Sequence, residues 1–366
     1  MDPRVRKLAH LLVHYSLKLK KGQLVILKGE VVTLPLLTAA FEEALKVGAH
    51  PWLELLSSDV DEIFLKHGSA EQLAYLPPMT RVEYDKMDAY LFAWGSQNLS
   101  HLSGVDPKKQ AAVRRAKKPY MMKFFKRTAL GEVHWVGTQF PTQADAQKAE
   151  MSLSDYEDFV YRAGHIHVGD PVKHWKKVEA EQKRLVRILQ RIDHLHVRSG
   201  GADLKLQVKG RKWISCHGTE NFPDGEIFTC PLEDSVEGFV NFTYPAHYDG
   251  RAVEGVRLEF KNGRVVAERA DKNQAFLKTM LDVDKGGRRI GEFAIGTNYE
   301  ITRSTGNTLF DEKIGGSFHM AVGASILEAG GKNQSAIHWD MVCDLKKDGE
   351  IIADGKVIYR KGRFVV

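Results

Sequence analysis

Residues 311–341 read DEKIGGSFHMAVGASILEAGGKNQSAIHWDM, and the alternation at the end of this stretch sets the reading of the fold. Ile337, Trp339 and Met341 fall on one side of an extended chain, and Ala336, His338, Asp340 and Val342 on the other. An imidazole and a carboxylate two residues apart on one strand face stand about 7 Å apart at the backbone. Their tips can close on one metal ion. A further histidine, His319, follows the Gly315-Gly316 turn, and Gly323 and Gly330-Gly331 lie in the connection.

Working outward, two acids stand at the mouths of apolar strands. Glu226 follows Pro223-Asp224-Gly225 and opens Glu226-Ile227-Phe228-Thr229-Cys230. Glu292 follows a glycine-rich turn, 286–291, and precedes Phe293-Ala294-Ile295-Gly296. A carboxylate so placed must be solvated, paired or metal-bound, because burying it bare is prohibitive. If Glu226, Glu292, Glu312, His319, His338 and Asp340 converge, their four carboxylates call for two divalent cations. Mixed oxygen and imidazole ligands suit Zn, Co or Mn.

The segments GRKWISCHGTENFPDGEIFTCPLEDSVEG, YDGRAVEGVRLEFKNGRVV, GRRIGEFAIGTN and DEKIGGSFHMAVG, then GGKNQSAIHWDMV, resemble in order and spacing the aminopeptidase T / aminopeptidase S family of metallopeptidases, peptidase family M29. The likeness is strong over about 140–345 and looser before that. The resemblance implies that Glu226, Glu292, Glu312, His319, His338 and Asp340 hold two divalent ions (Zn, Co, Mn or Mg). It implies hydrolysis of N-terminal amino acids from short peptides inside a homodimer that encloses the sites. It makes Glu292 the ligand that bridges the two ions, and Glu226 or Glu312 could carry the proton to the leaving amine.

One position departs from the family pattern. Where a catalytic Tyr is expected before Pro, this chain has Ile326-Leu327. A phenol able to donate to a developing oxyanion has become a hydrocarbon. Two other readings follow: a weakly active or non-catalytic metal-binding family member, or a metal-dependent hydrolase of another amide. Tyr244, Tyr248 and Tyr299 are nominated as replacement donors.

The length of 366 residues predicts two domains, 1–170 and 171–366. Strand-like runs at 24–27, 51–56 and 88–94 alternate with helical patterns at 34–46, 59–67 and 106–118. They predict an N-terminal α/β domain with a parallel sheet, followed by a C-terminal mixed α+β domain carrying the metal site. No glycine-rich phosphate motif accompanies this half. With 43% hydrophobic and 27% charged residues, the composition is that of an ordinary globular chain. A net charge of +6 implies neither nucleic acid nor membrane, and the basic run Lys108–Arg127 reads as a solvated face. Three cysteines without C-x-x-C spacing, no signal-peptide pattern and no long apolar run lead to the expectation of a cytoplasmic protein. The pairs His10/His14, His165/His167 and His194/His196 read as structural, since no acid is clearly placed as a third ligand. A hairpin is expected at 345–354, around Asp348-Gly349.

Overall fold

The computed structural model describes residues 2–366. One compact unit takes the chain up to Lys173 together with Gly218–Pro223, and a second takes His174–His217 and Asp224–Val366. The return of six residues to the first unit has a topological cause. Asn221–Phe222 adds a strand to its sheet, pairing parallel with His134–Gln139.

That first sheet is parallel throughout, in the order His50–Leu56, Leu24–Glu30, Ala89–Trp94, His134–Gln139, Asn221–Phe222. Helices connect its strands, as parallel pairing requires. The helix Leu34–Val47 carries Pro35 in its first turn and stops at Gly48, whose φ of 83° suits glycine alone. The basic run lies on a helix longer than its sequence pattern suggested, Pro107–Ala129, with Pro119 inside it and Phe124 as its buried residue.

The second unit is antiparallel. An eight-stranded sheet runs in the order Arg264–Arg269, Arg257–Lys261, Glu237–Asn241, Ala202–Gln207, His194–Ser199, Glu350–Ala353, Lys356–Arg360, Arg363–Phe364. A five-stranded sheet has the order His338–Asp344, Ser317–Gly323, Ile290–Gly296, Glu226–Thr229, Ile214–Cys216. One core takes Leu204, Val240 and Leu258 from the first sheet and Ile227, Phe293, Phe318, Met320, Trp339 and Met341 from the second. Two sheets sharing one core in this way form a sandwich. The helix Pro171–Leu189 adds Leu185 and Leu189 to it.

One local expectation is corrected. The hairpin near the C-terminus turns at Asp354-Gly355, both with positive φ, and joins Glu350–Ala353 to Lys356–Arg360. Asp348 instead accepts from the Gly200 amide. The helix Leu153–Ala163 is capped by Ser152, which accepts from the Asp155 amide. No helix among the described residues is long and apolar enough to cross a membrane.

Phe318 is fully buried and lies 5.7 Å from Phe293 between ring centroids. Truncation by Phe318→Ala is expected to cost about 3–5 kcal/mol, read as a lower urea midpoint with an unchanged m value. A loss below about 1 kcal/mol would show that this core does not hold the sandwich.

Candidate metal centre

The side chains that alternate with the core residues emerge on the outer face of the five-stranded sheet. Ile227, Phe293, Ile295, Phe318, Met320, Trp339 and Met341 turn inward, so Glu226, Glu292, His319, His338 and Asp340 turn outward. Register then brings them together. Ala321 on the Ser317–Gly323 strand faces Glu292 on one neighbour and Asp340 on the other. His319 is opposite Ala294, His338 opposite Gly323, and Glu226 opposite Gly296. Small residues thus form the floor over which the long polar side chains meet. A bulge at Gly291 sets the Glu292 register. A Cβ there would come within 2.1 Å of the Ala324 carbonyl oxygen.

His319 Nε2 lies 3.6 Å from Glu292, 3.7 Å from Glu226 and 3.9 Å from Asp340. His338 Nε2 lies 3.2 Å from Glu292 and 3.5 Å from Asp340. Glu292 offers Oε1 to one ring and Oε2 to the other. Behind the rings, His319 Nδ1 is 3.1 Å from the Glu312 carbonyl and His338 Nδ1 is 2.8 Å from that of Ala324. A carbonyl only accepts, so each Nδ1 donates and each Nε2 is left to face the carboxylates.

Glu312 arrives at the end of the short helix Thr308–Asp311. The acid before it, Asp311, is turned to structural use. It accepts from the amides of Thr305 and Gly306 and from Ser304 Oγ, fixing the preceding loop. All six predicted residues are therefore neighbours. Three further groups were passed over in the sequence. Lys313, only 2% exposed, sets Nζ 2.6 Å from Glu312 and 3.3 Å from Glu226. Asp224 and Cys216 come within 4.8 Å of Glu226. Lys313 directly follows Asp311 and Glu312 in the sequence, so its charge there reads as an ordinary solvated one.

Burial alone would neutralise such a group, so its electrostatics are read against that pressure. Burial disfavours the His319 imidazolium, yet Glu292, Glu226 and Asp340 raise its pKa to about 9. The same contest at His338, dominated on the raising side by Asp340, ends at about 12. Burial pushes Asp340 up, but His338 and His319 overcome it and hold the carboxyl below its usual range. Glu312 goes the other way: burial, with Asp340 and Glu226 alongside, lifts it well above the carboxylate range despite Lys313. The Lys313 ammonium is favoured by Glu226, Glu312 and Asp224 against its own burial. Burial also raises the Cys216 thiol well above its normal value.

These are the features of a cation site. Glu226 Oε2 and Asp340 Oδ1 are buried with no hydrogen-bond partner among the described residues, a costly state for a carboxylate unless a positive charge satisfies it. Ligand bonds of about 2.0–2.1 Å in tetrahedral array place ligand atoms about 3.3 Å apart, close to the separations found. The residues present fit a divalent metal.

The family model for the thermophilic metalloprotease (M29) matches residues 1–364. The chain belongs to that family. Aminopeptidase 2 of Geobacillus stearothermophilus is 27% identical over 407 positions, spanning 99% of this chain and 98% of that one. Aminopeptidase AmpS of Bacillus subtilis is 27% identical across 100% of both chains. The solved structure of wild-type AmpT from Thermus thermophilus matches with a TM-score of 0.86 at 25% identity, covering 99% of each chain. The structure of a 2,5-dihydroxypyridine dioxygenase from Pseudomonas putida KT2440 shares the fold, with a TM-score of 0.58 at 14% identity over 99% of this chain and 97% of that one. The fold by itself therefore does not settle the chemistry.

Within this M29 chain the position of the family Tyr is apolar in its surroundings too. Ile326 packs with Phe228, Cys230, Ala294 and Ala329, beside the centre. Of the nominated tyrosines, Tyr244 donates to Asp344 and Tyr299 to the Gly362 carbonyl. Tyr248 differs. Its ring lies tilted 5.4 Å from that of Trp339 and packs against the sandwich core, and its hydroxyl has no hydrogen-bond partner among the described residues.

A pH dependence follows for the metal-free protein. The folded pKa of His319, about 9, lies above the unfolded value of about 6.5. The stability this contributes is complete below about pH 6.5 and is lost as pH rises through about 9. Chelator-treated protein is expected to lose melting temperature across that interval, while affinity for divalent metal rises over it. A metal-free melting temperature that stays level from pH 6 to 9 would refute the charged His319.

Proposed function

We propose that this chain is a metal-dependent aminopeptidase that removes N-terminal amino acids from short peptides at a two-cation centre. The observation that carries the reading is the set of buried, unsatisfied carboxylate oxygens and imidazole Nε2 atoms converging over the Ala321 floor. Four carboxylates converge here with Lys313 as their one permanent positive charge, and Asp224 stands beside them, a donor set with room for two ions. Divalent ions bound here would polarise the scissile carbonyl and bring the pKa of a water towards neutrality.

The remaining work falls to the protein. Glu292 turns one oxygen towards each imidazole and would serve as the shared ligand. Among the described residues Glu312 makes its close charged contact with Lys313 and none with an imidazole within 4 Å. That geometry suits a group that takes a proton from the attacking water and returns it to the leaving amine. Lys313 holds Glu226 and Glu312 apart in charge terms and fixes both. Of the three nominated tyrosines Tyr248 is the one with an unpaired hydroxyl, and it is the one to test as oxyanion donor in place of the expected Tyr.

The deciding assay is a panel of aminoacyl-p-nitroanilides and short peptides with Co, Zn, Mn or Mg, with and without chelator. Metal-dependent release of N-terminal residues is expected. Glu312→Gln should keep its metal content and lose kcat by about 10²-fold or more, whereas Glu292→Gln should lose metal. No cleavage of any substrate by metal-loaded protein would end the peptidase reading.

Tyr248→Phe isolates the oxyanion donor. Loss of one such donor costs about 10²–10³ in turnover, with KM little changed because the bond is made in the transition state. An unchanged kcat would return the role to another group.

A further inference from the structure

The first helix of the protein carries a histidine pair that the catalytic centre does not use. Pro3–Leu11 is α-helical. It then widens over Leu12–Ser16, where the Leu17 amide donates to the Leu12 carbonyl five residues back at 2.9 Å. In a regular α-helix residues four apart are about 40° out of line. Widening the turn reduces that offset, and turns of this kind recur at functional sites. His10 and His14 straddle the change, with ring centroids 4.2 Å apart.

Both rings aim at one atom. Glu43, on the neighbouring helix Leu34–Val47, sets Oε2 2.8 Å from His10 Nδ1 and 3.1 Å from His14 Nε2. Its other oxygen, Oε1, is taken by Lys46 at 2.8 Å. Glu42 also binds Lys46, drawing that ammonium away from the histidines. Two positive charges this close would repel one another. As neutral rings they present nitrogen lone pairs, and three ligand atoms lie within 4.8 Å of one another. The oxygen-to-nitrogen spacings of 2.8 and 3.1 Å need open by only a few tenths of an ångström to reach a tetrahedral ligand edge of about 3.3 Å. The sequence reading of this pair as structural lacked its acid, which lies 29 residues beyond His14.

We propose that His10, His14 and Glu43 form a second cation site, for zinc or another divalent ion that prefers imidazole, separate from the catalytic centre. The site lies within the first compact unit, and its ion would pin the first helix to the second. Three protein ligands leave one coordination position for water. The proposal does not depend on the peptidase reading.

The test uses full-length protein stripped with chelator and equilibrated against micromolar free zinc, with bound metal counted by elemental analysis. Wild type is expected to hold one zinc ion per chain more than His14→Gln or Glu43→Gln. Zinc should raise the melting temperature of wild type by more than that of either variant. Peptide hydrolysis at saturating metal should be the same in all three. His14 is partly exposed, so His14→Gln should fold, and the melting temperature of the stripped variants checks this directly. Should Glu43→Gln prove unstable, His10→Gln replaces it. Equal zinc counts in wild type and the folded variants would overturn the proposal, as would a zinc-dependent melting shift that survives His14→Gln.

Discussion

The second unit is built around a charge it cannot leave uncompensated. Glu226, Glu292 and Asp340 lie out of water on the outer face of one sheet, with Glu312 and Asp224 beside them. Desolvating even one carboxylate is worth several kcal/mol, and neighbouring like charges add to it. The chain supplies one permanent positive charge, Lys313, and two imidazoles whose Nδ1 protons are already committed to carbonyls. Without metal, protonation of those imidazoles offsets part of the carboxylate charge. A divalent cation bound here would take over that role, so metal binding and protonation of the site compete.

The sheet meets this demand with geometry rather than with loops. Period-two alternation gives each strand one face for the sandwich core and one for the centre. Trp339 and Met341 therefore anchor the very strand that presents His338 and Asp340. A one-residue slip would exchange the two sets and bury the ligands in the apolar core. Register is correspondingly well fixed, by a dry core on one side and by the Gly291 bulge at the Glu292 strand. Ligands held on paired strands keep their positions better than ligands on mobile connections. Glu312, on the short helical turn, is the member with the most freedom, and Asp311 restrains it through four hydrogen bonds.

Much of this was legible in the sequence for that same reason. Alternation placed His338 and Asp340 opposite Trp339, and turn residues marked where Glu226 and Glu292 begin their strands. What was not legible depends on contacts distant in sequence. Lys313 reads as a solvated charge until Glu226, 87 residues earlier, is seen 3.3 Å away. His10 and His14 read as isolated until Glu43 arrives from the next helix. The C-terminal hairpin was misplaced because Asp348-Gly349 and Asp354-Gly355 carry the same local turn signal. Only pairing of Glu350–Ala353 with His194–Ser199 decides between them. The brief return of 218–223 to the first sheet leaves no compositional trace at all.

The exchange of the family Tyr for Ile326 is best understood as a change of neighbourhood rather than of one residue. Ile326 joins Phe228, Cys230, Ala294 and Ala329 in an apolar cluster on the same outer face as the ligands. A phenol set among those side chains would need a partner for its hydroxyl or bear the cost of burying it unpaired. Cys230 already spends its thiol on the Ile326 carbonyl, 3.4 Å away, which holds the backbone of this turn against the sheet. The outer face beside the site residues is thus closed by hydrocarbon at the Ile326 turn. Tyr248 stands at the other edge of the sheet, its ring against the core-facing Trp339 of the strand whose other face presents His338 and Asp340.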